Sequence, residues 1–159
     1  VFNQAIEYYK LCFEALGNTE HTIVMSIGDK VQITDLGEIP QNFFVKNYVP
    51  QTDILQYTKL FITHGGMNSI NEGLYYGVPL IVIPQSADQP IIAKQVVHVG
   101  AGIKLQMQSL TANHLREAVD HVLSDLSYKK AVSNISESFR NSGGYRRAVD
   151  EIVRGGGVV

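Results

Sequence analysis

The segment from Thr63 to Ser69 has the residue types of an anion-binding loop. Its sequence, Thr-His-Gly-Gly-Met-Asn-Ser, follows an apolar run and precedes a helical pattern. The two glycines allow a ligand to approach the backbone, and the first N–H groups of the next helix carry the positive end of its dipole. Side-chain donors from His64, Asn68 and Ser69 lie at the same place, which suits a diphosphate. The alternative is a tight strand-to-helix turn in which Asn68 or Ser69 only caps the helix, and the local pattern leaves both interpretations open.

Carboxylate and amide side chains follow this loop and the next apolar run. Glu72 comes one helical turn after Ser69, where a carboxylate accepts two hydrogen bonds from a vicinal diol such as that of a ribose. Asp88 and Gln89 follow Pro84 and together accept and donate hydrogen bonds, which suits the hydroxyls of a sugar. Each position also has a simpler interpretation, which the local pattern favours. Glu72 and Ser69 form a capping box, and Asp88 is a helix N-cap.

A third turn of this kind, Tyr48-Val49-Pro50-Gln51, follows an earlier apolar run and offers an aromatic plane. Together with the Gly-Gly loop and the Asp88-Gln89 pair, it gives three consecutive strand ends with groups for a base, a diphosphate and a sugar. In an open parallel sheet, ligands bind beyond the carboxyl ends of the strands. Three strand ends of matching chemistry therefore favour one nucleotide-sugar site over three unrelated turns.

The elements that position these turns alternate between helix and strand. Strands are predicted at residues 22–27, 43–45, 60–63, 80–83 and 102–105, and helices at residues 2–16, 54–57, 68–76 and 88–97. From Thr111, a plausible N-cap, the pattern is helical only, with further helices predicted over residues 128–139 and 145–153. Continuous apolar strands indicate a sheet buried on both faces, and helices between strands imply right-handed crossovers. The predicted fold class is α/β, with a doubly wound parallel sheet followed by C-terminal helices.

Composition and charge exclude several classes of protein. The 159 residues include 13 Lys+Arg and 15 Asp+Glu, a net charge of −2, and 45% are hydrophobic. This balance disfavours a disordered chain, and it disfavours a nucleic-acid binder, which needs a basic surface. The longest apolar run, Leu80 to Pro84, is too short to span a bilayer, and no signal-peptide pattern opens the chain. Cys12 is the single cysteine and forms no internal disulfide, which suits a cytoplasmic location.

The three turns, in this order, resemble the nucleotide-sugar signature of family 1 glycosyltransferases, in particular the bacterial macrolide and flavonoid enzymes of the UDP-glucosyltransferase superfamily. The resemblance covers residues 47–89 and also includes Ile54-Leu55 and Gly77-Val78-Pro79. It implies a GT-B enzyme, in which two Rossmann-like domains enclose the active site. The chain is similar to the C-terminal, donor-binding half, with a Rossmann-like doubly wound parallel sheet. We expect this domain over residues 1–153 and a flexible tail over residues 154–159.

The resemblance implies a role for each polar residue of the three turns. Uracil and ribose are expected at Tyr48, Val49, Gln51 and Glu72, the diphosphate at His64, Gly66, Asn68 and Ser69, and the donor sugar at Asp88 and Gln89. The family usually has Trp where Tyr48 stands, so weaker stacking or a looser choice of base is expected. Plant members have Cys-Gly-Trp where this chain has Gly65-Gly66-Met67, which favours the bacterial branch.

The resemblance further implies an inverting transfer of a hexose, with glucose expected, to a hydroxyl of a small molecule such as a macrolide or flavonoid. A base deprotonates the acceptor hydroxyl, which attacks the anomeric carbon while His64 and the helix N-terminus stabilise the departing UDP. The family's base and acceptor pocket lie in an N-terminal domain, so no catalytic residue is expected in this chain, which alone binds the donor without turning it over. No cofactor and no metal are expected, because the sequence has no Asp-x-Asp pair and its other histidines are scattered: His21, His98, His114 and His121.

Two alternatives stay open. One is the donor-binding subunit of a two-chain glycosyltransferase, and the other is a different UDP-sugar enzyme of the same fold, such as a lipid-linked hexosaminyltransferase or an epimerase. The family's first strand comes before the helix that begins near Phe2, and this strand is central in the doubly wound order. We therefore expect a gap in the sheet, filled by a strand from outside these residues, by a swapped partner, or by rearrangement. The acceptor, the choice between UDP and TDP, and the oligomeric state are not predicted.

Overall fold

The computed structural model describes residues 2–86 and 88–142, and it confirms the predicted α/β fold class. Strands and helices alternate as expected, in the order α1 (Phe2–Leu16), β1 (Ile23–Ser26), β2 (Phe43–Lys46), α2 (Gln51–Leu55), β3 (Phe61–Thr63), α3 (Met67–Tyr75), β4 (Leu80–Val82), α4 (Gln89–His98), β5 (Gly102–Lys104), α5 (Ala112–Ser124) and α6 (Leu126–Asn141). Two short 3-10 helices, Ile33–Leu36 and Met107–Ser109, were not predicted. The helix predicted at residues 145–153 and the tail at 154–159 lie outside the described residues.

The strands of the described residues form two parallel sheets. In the first, β1 pairs with β2 and Ile23 lies opposite Phe43. In the second, the order is β3-β4-β5, with Phe61 opposite Leu80 and Leu80 opposite Gly102. If the two sheets follow the doubly wound order, β1 and β3 lie on either side of the expected gap. The segment that fills it stays a prediction.

Strand β4 is the best-covered element of the fold. Leu80, Ile81 and Val82 each have 0% of their surface exposed. Because side chains alternate across a strand, they enter two different cores. Ile81 packs in a core with residues of α1 and α5, whereas Leu80 and Val82 pack with residues of α3, α4 and α6. The turn at the carboxyl end of β4 therefore starts from a strand that is buried on both faces.

The two-stranded sheet is covered on one face only by the described elements. Phe43 and Val45 pack in the core with α1, where the Phe13 and Phe43 rings meet edge to face with centroids 4.9 Å apart. On the other face, Val24 and Phe44 are 41% and 59% exposed. The expectation of a sheet buried on both faces is thus confirmed for β4 and wrong for β1 and β2, because the described helices cover only one side of that pair.

Side chains from the C-terminal helices bind the backbone of earlier elements. Arg116 on α5 donates from Nε to the carbonyl of Ala15 at 2.6 Å and from Nη2 to the carbonyl of Glu14 at 3.4 Å. These carbonyls belong to the last turn of α1, which has no intrahelical donor for them. On α6, the Lys129 ammonium donates to the carbonyl of Gly77 at 2.7 Å, just after α3. The C-terminal helices thus bind the backbone at the ends of α1 and α3.

Candidate donor-binding site

The Gly-Gly loop is a sharp turn whose geometry requires glycine. Gly65 has a φ of +92°, and a Cβ on it would lie 2.6 Å from Cγ1 of Val82 on the neighbouring strand. The Gly65 N–H donates to the hydroxyl of buried Thr63 at 3.3 Å. A side chain at position 65 would therefore be excluded both by the left-handed backbone and by β4. The turn brings the backbone of the loop against the end of the adjacent strand.

The first turn of α3 has no side-chain cap. The N-cap is Gly66, whose carbonyl accepts from the N–H of Ile70 at 3.0 Å. Asn68 and Ser69 lie inside the first turn, so the interpretation of either residue as the N-cap is wrong. The N–H groups of this turn have no intrahelical acceptor and carry the positive end of the helix dipole. They are available to an anion.

His64 stands beside this helix entrance. Its Nε2 atom lies 2.9 Å from the position that a Cβ on Gly66 would occupy. A larger residue at position 66 would displace the ring, so Gly66 allows the exposed imidazole to lie next to the free N–H groups. The structure thus brings together the four residues predicted for the diphosphate, namely His64, Gly66, Asn68 and Ser69.

Gln51 and Glu72 form a direct contact between two of the predicted turns. The amide Nε2 of Gln51 donates to Oε2 of Glu72 at 2.7 Å and to the hydroxyl of Ser69 at 3.3 Å. All three side chains are half-buried. The capping-box interpretation of Ser69 and Glu72 is wrong, because Gly66 is the N-cap and the Glu72 carboxylate points to Gln51 instead. The Tyr48–Gln51 turn is therefore joined directly to the first two turns of α3.

The turn after β4 is organised by Gln89. Its Oε1 atom accepts from the backbone N–H groups of Gln85 at 2.8 Å and Ser86 at 3.1 Å. Because both partners are donors, the amide oxygen must face the turn, which leaves the NH₂ group to point elsewhere. Asp88 is the N-cap of α4 by position, but its exposed carboxylate makes no capping hydrogen bond. The simpler interpretation of Asp88 as a side-chain cap is therefore wrong.

The turn after β4 lies beside the Gly-Gly loop, whereas Tyr48 of the Tyr48–Gln51 turn is more exposed. A Cβ on Gly65 would lie 3.8 Å from Cβ of Gln89, so the loops after β3 and β4 touch. Tyr48 is 79% exposed, while Val49 is half-buried. The preceding residue, Asn47, donates from Nδ2 to the carbonyls of Gly28 at 2.7 Å and Val31 at 3.1 Å. Asn47 thus joins the loop after β1 to the start of the Tyr48–Gln51 turn.

Three supporting residues were assigned no individual role from the sequence. Thr63 orients Gly65, Val82 excludes a side chain there, and Asn47 holds the loop after β1. Asn47 immediately precedes the base turn, and an amide at the end of an apolar run is the signal that indicates such a clamp. The other two depend on which strands are neighbours, and that requires the fold.

No cluster of three or more His, Cys, Asp or Glu side chains suited to a metal occurs within residues 2–86 and 88–142. Over the same residues, no helix has the length and apolar character needed to cross a membrane. Metal independence and the cytoplasmic location stay predictions.

Comparison with known proteins identifies the domain. Residues 10–144 match the family model described as the Erythromycin biosynthesis protein CIII-like, C-terminal domain. The chain belongs to this family. It is the C-terminal domain of a GT-B family 1 glycosyltransferase, as its sequence resemblance implied.

Individual glycosyltransferases resemble the chain over nearly its whole length. An uncharacterized UDP-glucosyltransferase, YojK, of Bacillus subtilis is 39% identical over 153 residues, which is 96% of this chain and 38% of the relative. The oleandomycin glycosyltransferase of Streptomyces antibioticus is 36% identical over 152 residues, 95% of this chain and 35% of that protein.

The solved glycotransferase of kitacinnamycin superposes with a TM-score of 0.85 at 39% identity, covering 93% of this chain and 39% of that one. The chain thus spans about two fifths of the length of these glycosyltransferases.

Proposed function

We propose that this glycosyltransferase domain binds the UDP-sugar donor of an enzyme that transfers a hexose, with inversion, to a hydroxyl of a small molecule such as a macrolide or flavonoid. Glucose is the proposed hexose, in keeping with the name of the Bacillus subtilis relative. The observation that carries the proposal is that two features occur on the same helix. The N-terminus of α3 has no side-chain cap, and Glu72, about one turn further along α3, accepts a hydrogen bond from Gln51.

The proposed diphosphate subsite is the first turn of α3. Its free N–H groups, the hydroxyl of Ser69 and the amide of Asn68 are donors, and an anion gains from the helix dipole. His64 lies beside these groups and adds a ring N–H. As the bond to the anomeric carbon breaks, negative charge grows on the diphosphate. Donors already fixed at that place stabilise the leaving group without rearranging.

The proposed uridine and sugar subsites lie on either side of this turn. Tyr48 stacks on the base, Val49 lies beside it, and the Gln51–Glu72 pair accepts hydrogen bonds from the ribose. On the other side, Gln89 donates from its NH₂ group and Asp88 accepts, so each addresses a different hydroxyl of the sugar. In this proposal, the base that deprotonates the acceptor is not among these 159 residues, and the chain alone binds the donor without turnover.

Calorimetric titration of the chain with UDP tests the proposal. We expect a dissociation constant in the millimolar to micromolar range. His64→Ala and Glu72→Ala each remove a charged or charge-assisted hydrogen bond and should weaken binding by about tenfold or more.

The matched controls are His114→Ala and Glu7→Ala, which change exposed residues of the same types on α5 and α1. Both should bind UDP as the wild type does. Unchanged affinity in His64→Ala and Glu72→Ala would contradict the site assignment, and an absence of UDP binding in the folded wild type would contradict the proposed function. Parallel titrations with UDP-glucose and other UDP-sugars identify the hexose.

A further inference from the structure

The stretch from α4 to the start of α5 has lysines and an arginine but no acidic residue. Residues 89–116 contain no Asp or Glu, and they include Lys94, Lys104 and Arg116. The guanidinium of Arg116 is bound to the end of α1, which leaves Lys94 and Lys104 as the other two cations of this stretch. The chain as a whole has a net charge of −2. This part of the molecule is therefore opposite in charge to the whole.

Both lysines line one groove at the side of the three-stranded sheet. The groove has a volume of about 450 Å3 and lies between α4 and β5, where Lys94, Val97, Ile103 and Lys104 surround it. Lys94 is exposed, Lys104 is half-buried, and Val97 is an apolar side chain with 47% of its surface exposed. The groove therefore combines apolar surface with two lysines.

Strand β5 is an edge strand among the described residues, and the backbone beside this groove has free hydrogen-bonding groups. The N–H of Leu105 donates to the carbonyl of Val82 on β4 at 2.9 Å. Because successive residues of a strand face opposite edges, the N–H and C=O of Lys104 face away from β4. Within residues 2–86 and 88–142 they have no hydrogen-bond partner. Gly102 is buried, so the accessible part of this edge is at Lys104.

We propose that the groove between α4 and the edge of β5 binds an extended segment of a partner protein in which acidic and apolar residues alternate. The carboxylates of the segment face Lys94 and Lys104, its apolar side chains cover Val97, and its main chain pairs with Lys104. A second copy of this chain is a poor occupant, because two such grooves placed together bring the lysines of both copies close to one another. Charge complementarity therefore selects an acidic partner.

Fluorescence anisotropy with labelled peptides tests the proposal. The acetylated peptide Glu-Val-Glu-Ile-Glu-Val should bind the chain in the micromolar range at about 50 mM salt, and more weakly at about 300 mM. Glu-Ser-Glu-Ser-Glu-Ser, which has the same charge without the apolar side chains, should bind about fivefold more weakly or worse. Absence of binding by the first peptide, or equal binding by both, would overturn the proposal. Tighter binding of an oligothymidylate would also overturn it, because the surface would then be a nucleic-acid site.

Charge reversal tests whether the peptide occupies this groove. Lys94→Glu and Lys104→Glu should each weaken binding of Glu-Val-Glu-Ile-Glu-Val by about fivefold or more. The double variant should instead bind Lys-Val-Lys-Ile-Lys-Val, which the wild type should not bind. Unchanged affinity in both single variants would overturn the proposal.

The matched control is Lys10→Glu, at an exposed position of α1. It makes the same change in net charge as Lys94→Glu and should bind the acidic peptide as the wild type does. Equal weakening in Lys10→Glu and Lys94→Glu would show that net charge, rather than the groove, governs binding, which contradicts the proposal. Thermal unfolding shows that each variant is folded.

The main-chain contact has a test of its own. Lys104→Gln and Lys104→Pro both remove the charge, but only proline also removes the N–H that faces away from β4, a position at which edge strands tolerate proline. Lys104→Pro should therefore bind the acidic peptide about threefold more weakly than Lys104→Gln, or worse. Equal affinities in the two folded variants would overturn the pairing of the segment with β5.

Discussion

The two parallel sheets of this domain differ in how they are covered, and each carries a different part of the candidate site. The three-stranded sheet has β4 buried on both faces, and the proposed diphosphate and sugar turns start from it and its neighbour. The two-stranded sheet has one face open, and the proposed base turn follows it. In the proposed function, the sugar and the diphosphate are therefore bound by turns of the sheet that contains the fully buried strand β4. The base is bound by a turn of the half-covered sheet, which the side-chain hydrogen bonds of Asn47 hold in place.

Truncation of one strand side chain in each half gives the largest expected contrast. Leu80→Ala removes a side chain with 0% exposure from β4 and should lower the free energy of unfolding by about 2–5 kcal/mol. Phe44→Ala, on the open face of β2, should change it by about 0.5 kcal/mol or less. Urea unfolding measures both values. Comparable losses in the two variants would show that Phe44 is covered in solution and would remove the contrast.

In the two-stranded half, loss of the Asn47 hydrogen bonds should have the next largest effect on stability. Asn47→Asp keeps the size of the side chain, but a carboxylate cannot donate to the carbonyls of Gly28 and Val31. We expect a loss of about 1–3 kcal/mol in the free energy of unfolding and faster amide exchange over residues 28–31. The control is Asn134→Asp, at an exposed position of α6. Unaltered amide exchange over residues 28–31 in Asn47→Asp would show that the Asn47 hydrogen bonds do not hold this loop.

In the three-stranded half, Gln89→Glu separates support of the turn from contact with the sugar. A glutamate oxygen still accepts from the N–H groups of Gln85 and Ser86, but the NH₂ donor is lost. If the proposed function is correct, the preference for UDP-glucose over UDP should fall by about tenfold in calorimetry. Gln95→Glu, at an exposed position of α4, is the control. A retained preference would show that Gln89 organises the turn without binding the sugar.

The smallest effect comes from Cys12, in the core that both halves share. Burial raises the pKa of the Cys12 thiol from 9.0 to about 12, and the hydrogen bond from Tyr8 only partly opposes this. Above pH 9 the unfolded chain loses the thiol proton while the folded chain keeps it, so stability falls as the pH rises.

Relative to Cys12→Ala, the wild type should lose about 0.8 kcal/mol more between pH 8 and 9.5. Urea unfolding at the two pH values provides the measurement. Equal losses in the two proteins would show that the thiol is reachable by water in the folded state.

The sequence was sufficient for features set by local pattern. The strands, most helix positions and the three strand-end turns follow from apolar runs and turn residues, and Thr111 caps α5 as predicted, accepting from the N–H of His114 at 3.1 Å. Features set by contacts between distant elements were missed. The local pattern favoured capping by Ser69 and Asp88, whereas Gly66 begins α3 and Glu72 turns to Gln51, 21 positions earlier. A short-range capping rule cannot include a partner that only the fold brings near.

The bond from Arg116 to the end of α1 joins residues 101 positions apart. During synthesis the chain emerges from its N-terminus, so α1 is made long before the side chain that binds the carbonyls of Glu14 and Ala15. A nascent chain that ends anywhere before α5 carries α1 without this partner and without the helix that packs beside it. The contact between α1 and α5 therefore forms only after residue 116 has been made, and a translational pause before that point leaves the side of α1 that faces α5 uncovered.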